Sequence, residues 1–266
     1  MNSNPLQPFL DPRWPARWSA RERMVDAVTP HLLDALDPRA GERVLDIGIG
    51  TGAIAFAAAA GAGTVLGIDV SEPMIAFCLA RARERGITNA AFLVADAASA
   101  LIPGAPFDAA TSQFGVMFFP DPIAAFANIH RHLRPAGRFV FACWAEAEDN
   151  PLHPNVLTAP FEADPPWPLE GNAPGPFSLA DFHHTRYLLE SAGFREIRRR
   201  RIDLRITVPA SAVFDEAMLD DPGPSQQSDD SAIAAIRAQL QGYAAEGGIR
   251  VPLAFQLYSA AAAVAS

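Results

Sequence analysis

The chain has 266 residues, half of them apolar and 19 % charged, with a net charge of -9 at pH 7. That is ample for one large core, with or without a small cap, and it excludes a disordered chain. All 21 basic residues are arginine, which removes lysine Schiff-base chemistry and a lysine phosphate anchor, and the acidic balance argues against a nucleic-acid surface.

Residues 16–36 carry apolar positions Trp18, Met24, Val25, Val28, Leu32, Leu33 and Leu36 at helical spacing, with Pro30 dividing two helices. This makes residues 1–40 a helical preface. From Arg43 the pattern changes to short apolar runs alternating with helices, the signature of a parallel sheet covered on both faces. Strands are expected at 43–47, 64–69, 90–94, 107–112 and 137–144, and helices at 51–60, 72–85 and 121–133, the last ended by Pro135 and Gly137. Eight prolines between Pro151 and Pro176 forbid sheet interior or continued helix there, so about 149–178 reads as a cap. A helix at 179–194 follows. The runs at 195–208 and 252–264 are expected to form a closing antiparallel pair, with a second insertion at about 211–250 holding a helix with Ile233, Ile236, Leu240 and Tyr243 on one face.

The stretch RVLDIGIGTG, residues 43–52, is an apolar strand running into alternate glycines. Gly48, Gly50 and Ala53 satisfy the loose dinucleotide pattern G-x-G-x-x-A, a weak signal, because glycines before a helix N-terminus suit many anions. Asp46 decides against pyrophosphate: a carboxylate two residues before Gly48 favours an ammonium group. S-adenosylmethionine carries both charges, a carboxylate for the helix start at Thr51 and Gly52 and an ammonium for the carboxylate side. Asp69 closes the next strand, placed to accept both ribose hydroxyls, with Val70 beside it. Asp96 closes the third, suited to an adenine amino group, with the backbone N–H of Ala97 for the ring. Each aspartate alone could merely cap a helix, a common use, but three beside a glycine loop point to a ligand.

VLDIGIGTG, GIDVSEPMI, VADAASALIPGAPFDAATSQFGVMFFPDP and HLRPAGRFVFACW together resemble the successive motifs of class I S-adenosylmethionine-dependent methyltransferases, nearest the small-molecule branch of the ubiquinone and menaquinone biosynthesis enzymes. The resemblance covers about residues 40–145 closely and the rest in outline. It implies a Rossmann-like α/β fold, a seven-stranded sheet in order 3-2-1-4-5-7-6 with the last strand antiparallel, as one domain over 41–266. It also implies that Gly48, Gly50 and Gly52 carry the methionine part, Asp69 the ribose, and Asp96 and Ala97 the adenine, with Met74 near the adenosine and Ser112, Gln113 and Phe114 on the methionine side. The product would be S-adenosylhomocysteine. Ile49 and Ala136 depart from the usual pattern without threatening cofactor binding.

Phe114, Met117 and Phe118, which open from the fourth strand, are candidates for the wall of an apolar acceptor pocket, whereas Val116 and Phe119 read as core. Gln113 could orient an acceptor hydroxyl and His153, in the cap, could take its proton, though a loop histidine is more often merely solvated. DPPW, Asp164 to Trp167, matches the tetrapeptide of amino-methylating nucleic-acid enzymes but does not follow the fourth strand, so it reads as chance. Arg198 to Arg201 read as a solvated edge strand. His130/His132 and His183/His184 lack metal-site spacing and read as helix-surface residues, and no metal is expected. Cys78 and Cys143 fit small core positions in a reducing, cytoplasmic setting, and no apolar run is long enough to span a membrane. The expected activity is methyl transfer to a small, partly apolar acceptor. The competing reading is a cofactor-binding partner or regulatory protein without transfer activity. Whether the chain forms a homodimer is left open.

Overall fold

The computed structural model of the chain describes residues 7–153, 156, 168–209 and 230–263. Chain order begins with two helices, α1 (Trp14–Val25) and α2 (Thr29–Leu36). Pro30 falls in the first turn of α2, where its missing N–H costs nothing. Val25, Val28, Leu32 and Leu36 are buried in the same core as the sheet, so this preface is packed into the main body.

Strand and helix then alternate: β1 (Arg43–Ile47), α3 (Ala53–Ala59), β2 (Thr64–Asp69), α4 (Glu72–Glu84), β3 (Ala90–Val94), β4 (Phe107–Gln113), α5 (Pro122–His132) and β5 (Leu133–Trp144). Side-chain oxygens set three helix starts. Ser71 accepts from the Met74 N–H, Asp121 from Ala124, and Asp181 from His184 at the start of α6 (Phe182–Ser191). β6 (Phe194–Val208), α7 (Asp230–Leu240), the two-residue β7 (Ala244–Ala245) and β8 (Gly248–Ala262) complete the described chain.

The strands lie in the order β3-β2-β1-β4-β5-β8-β6. The first five are parallel, and β8 runs antiparallel between β5 and β6. With β8 counted as the seventh strand, this is the expected order. The sheet has eight strands because β7 adds a short hairpin arm to β8. β5 also begins earlier than expected. Leu133 already pairs with Phe107, and the turn residue Ala136 adopts a left-handed φ of 60° within a register shift, so the anticipated stop is absorbed into the strand. β6 is the edge strand, with Arg198, Arg199 and Arg200 exposed. Its hydrophobic face and that of β8 are covered near one end by a second cluster that includes Ile236 and Leu240 of α7.

Much of the first cap, with the DPPW tetrapeptide, and much of the second insertion lie outside the described residues. The described ends of the first cap are tied down. Asn150 exchanges hydrogen bonds with the backbone of Ala254 on β8, at 2.9 Å each way. The Ser178 hydroxyl (2.8 Å) and the Gly175 N–H (3.1 Å) both donate to the Met117 carbonyl.

Candidate functional site

Because β1, β2, β3 and β4 are parallel, their carboxyl ends meet at one edge of the sheet, where open α/β folds place ligands. A cavity opens there. Its inner end is walled by Gly48 and Gly50 of the loop after β1, by Asp69, Val70 and Met74 after β2, and by Asp96 and Ala97 after β3.

The loop turns left-handed at Gly48, Gly50 and Gly52, with φ of 66°, 53° and 88°. At Gly50 a Cβ would stand 3.2 Å from the indole nitrogen of Trp18, which also lines the cavity. The Asp69 carboxylate receives the backbone N–H groups of Gly50 (3.1 Å) and Ser71 (2.9 Å), so the residue expected to hold a ribose also fixes the loop to β2. Burial raises its pKa, and those N–H groups oppose the rise. The Asp96 carboxylate receives the Ala98 N–H (2.8 Å) and the Ser99 hydroxyl (3.1 Å), closing the turn that carries Ala97.

Asp46 differs from the expectation that it faces the ligand. It is fully buried beneath the loop and off the cavity wall. Both carboxylate oxygens lack a hydrogen-bond partner of ordinary geometry, although the N–H groups of Ala55 and Ile47 lie close enough to lower its pKa slightly. Burial and the nearby Asp69 charge prevail and hold the carboxyl well above the usual carboxylate range. Thr51, Gly52 and Ser112 are likewise off the wall. Thr51 donates to Glu22 Oε1 at 2.8 Å, and Ser112 donates to the Ile47 carbonyl at 2.7 Å, tying β4 to β1.

The outer end of the cavity is aromatic. Phe114, at a left-handed φ of 62°, stacks on Trp144 with ring centres 4.3 Å apart. His153 meets the edge of Trp144 at 5.1 Å and Phe177 at 4.9 Å. Gln113 lines the cavity while its Oε1 accepts the Thr29 hydroxyl at 3.0 Å, and Met117 and Phe118 complete this wall. Val116 and Phe119 are buried, as expected of core, although Phe119 also touches the cavity.

The sequence points to the N-terminal helices closing over the pocket without singling out Phe9, Trp14 and Trp18, and it gives no sign of Trp144 from β5 or of Ile206 and Leu253 from the final strand pair. The closely spaced aromatics Phe9, Trp14 and Trp18 were the one available signal. The histidines also need correction. His132 is buried, its Nε2 accepting the Ile102 N–H at 2.9 Å, and His130 Nε2 accepts the Ala263 N–H at 3.1 Å, so both serve packing rather than a solvated face.

These residues fit S-adenosylmethionine. A glycine cradle with the carboxylates of Asp69 and Asp96 at the ends of β2 and β3 makes the inner end acidic, suited to a ligand whose sulfonium and ammonium outweigh its carboxylate. Among the described residues no group of His, Cys, Asp or Glu could hold a metal ion. No helix among them is long and apolar enough to cross a membrane.

A family model described as a methyltransferase domain matches residues 44–137. The chain is 33 % identical over 202 residues to nocamycin O-methyltransferase from Saccharothrix syringae, covering 69 % of this chain and 70 % of that protein. It is 37 % identical over 126 residues to demethylmenaquinone methyltransferase from Thermus thermophilus, 47 % of this chain and 52 % of that one, so it spans about half of this relative's length. The crystal structure of YcgJ from Bacillus subtilis superposes with a TM-score of 0.63 at 20 % identity, covering 89 % of this chain and 98 % of that one, a likeness of fold.

Proposed function

The chain belongs to the class I S-adenosylmethionine-dependent methyltransferases, and from that premise we propose that it methylates an oxygen, nitrogen or carbon atom of a small, partly apolar acceptor by in-line displacement. One observation carries the acceptor half of this reading: the cavity that begins at the glycine loop and Asp69 continues without a break to the aromatic wall of Phe114, Phe118 and Trp144.

Bound S-adenosylmethionine supplies a methyl group already activated on a sulfonium, whose bonding electrons stay on sulfur as the acceptor's lone pair forms the new bond. The protein's tasks are alignment and exclusion of water. Gly48 and Gly50 admit the methionine part close to the backbone, Asp69 and Val70 receive the ribose, and Asp96 and Ala97 receive the adenine. Trp14, Trp18, Leu152 and His153 line the cavity and keep water from the reacting atoms. Gln113, anchored by Thr29, orients the acceptor, and a hydroxyl acceptor gives its proton to a ring nitrogen of His153 or to water. The two cysteines, both free and buried, fit a reducing cytoplasm.

The test is calorimetric binding of S-adenosylhomocysteine to the wild type and to Asp69→Ala. Loss of a carboxylate that accepts both sugar hydroxyls is expected to cost roughly 1.5–3 kcal/mol, about a tenfold to hundredfold fall in affinity. An unchanged dissociation constant in the folded variant would remove Asp69 from the site.

A further inference from the structure

The charge of the cavity divides as sharply as its shape. Its carboxylates, Asp69 and Asp96, stand at the inner end, and no arginine lines it anywhere among the described residues. The chain has no lysine to supply a cation instead. Of the nearby arginines, Arg81 is engaged by Glu22 and the Thr51 carbonyl, and Arg201 by Glu146, Asp149 and Asp203.

The outer end offers rings instead. Phe114 and Trp144 stack, Phe9 meets Phe118 edge-on at 4.8 Å and Trp14 at 5.2 Å, and Gln113, Asn150 and His153 are the polar side chains there. Asn150 is occupied on both sides by the Ala254 backbone. An anionic acceptor entering this end would give up water and find no arginine among the described wall residues to replace it. A flat uncharged ring gives up little and gains ring-on-ring contact.

We propose that the acceptor is an uncharged, ring-bearing molecule and that the cavity, whose described outer wall is aromatic and carries no arginine, rejects acceptors carrying a carboxylate, sulfonate or phosphate. This rests on the reading that the inner end holds S-adenosylmethionine, and the test separates the two. The protein is first saturated with S-adenosylhomocysteine. Calorimetry then compares naphthol, a naphthol sulfonate of the same ring size, and phosphoethanolamine. Naphthol is expected to bind the saturated protein on the order of a hundredfold more tightly than the sulfonate, with phosphoethanolamine weaker still, because a buried charge without a partner is penalised heavily. The variant Phe118→Arg, which places a cation on a half-buried stretch of the wall, should narrow or reverse that preference. Equal or tighter binding of either anion to the wild type overturns the proposal, as does failure of naphthol to bind while S-adenosylhomocysteine does. Failure of S-adenosylhomocysteine itself to bind overturns the reading of the inner end instead.

Discussion

Asp46 carries a carboxyl group to a place where no donor of ordinary geometry answers it, and burial with the neighbouring Asp69 keeps its pKa well above the usual range. A carboxyl that holds its proton more tightly when folded makes the native state bind more protons than the unfolded chain. Stability therefore falls as pH climbs from the unfolded value, about 4, to the raised one, and stays reduced above it. Asp46→Asn has no such proton to lose. Without ligand it is expected to melt above the wild type at neutral pH, with the gap closing toward about pH 4. Melting curves across that range check the sign, and a variant less stable than wild type at neutral pH contradicts it. Gly52 is a second sharp case. A Cβ there would sit 2.5 Å from the Phe56 ring, at a φ of 88°, whereas Gly41 has a similar φ of 85° and open space around it. Left-handed strain alone costs about 1–2 kcal/mol and overpacking about 1–3 kcal/mol more. Gly52→Ala is therefore expected to lose roughly 2–5 kcal/mol in urea unfolding and Gly41→Ala no more than about 2 kcal/mol.

Helix α1 closes against the glycine loop. Glu22 accepts the Thr51 hydroxyl and pairs with Arg81 at 3.3 Å, Arg81 donates to the Thr51 carbonyl at 2.9 Å, and Trp18 lies over Gly50. Removing the shared acceptor with Glu22→Ala should loosen this contact by roughly 1–2 kcal/mol and speed release of S-adenosylhomocysteine by about tenfold, read by stopped-flow fluorescence; an unchanged rate means α1 does not restrain the ligand. At the outer wall, Phe114 is a poor probe of acceptor binding because it is buried and stacked on Trp144, and truncating such a ring costs about 3–5 kcal/mol. Phe118 is only half-buried. Phe118→Ala is expected to raise the acceptor KM or lower turnover while leaving cofactor affinity within about twofold. The elements themselves were unequally legible. β1, β2 and β3 begin and end where their apolar runs do, because glycines, helix caps and charged residues bound them. The early start of β5 was hidden, since it depends on an alanine taking a left-handed turn and on pairing with Phe107, neither of which local sequence records.

At the scale of the molecule, the parallel order of β3, β2, β1 and β4 brings three strand ends together, so residues from Asp46 to Ala97 could be read from a run of about fifty residues. Burial still separated them. Asp69 and Asp96 reach the cavity, while Asp46, with the same residue type and strand-end position, lies beneath the loop. The far walls resisted sequence reading for another reason. Trp14, Trp144 and Leu253 line one cavity only because α1 folds over the loop and β8 inserts between β5 and β6, an arrangement across more than a hundred residues that no local spacing encodes. The central claim is that this shared edge holds S-adenosylmethionine rather than a dinucleotide. Thermal unfolding with S-adenosylhomocysteine and with NAD, each at equal concentration, tests it most directly. At about 100 times its dissociation constant, S-adenosylhomocysteine should stabilise the native state by roughly 2.7 kcal/mol and raise Tm by about 5–10 °C, with little shift from NAD. An equal or larger shift with NAD would contradict the account.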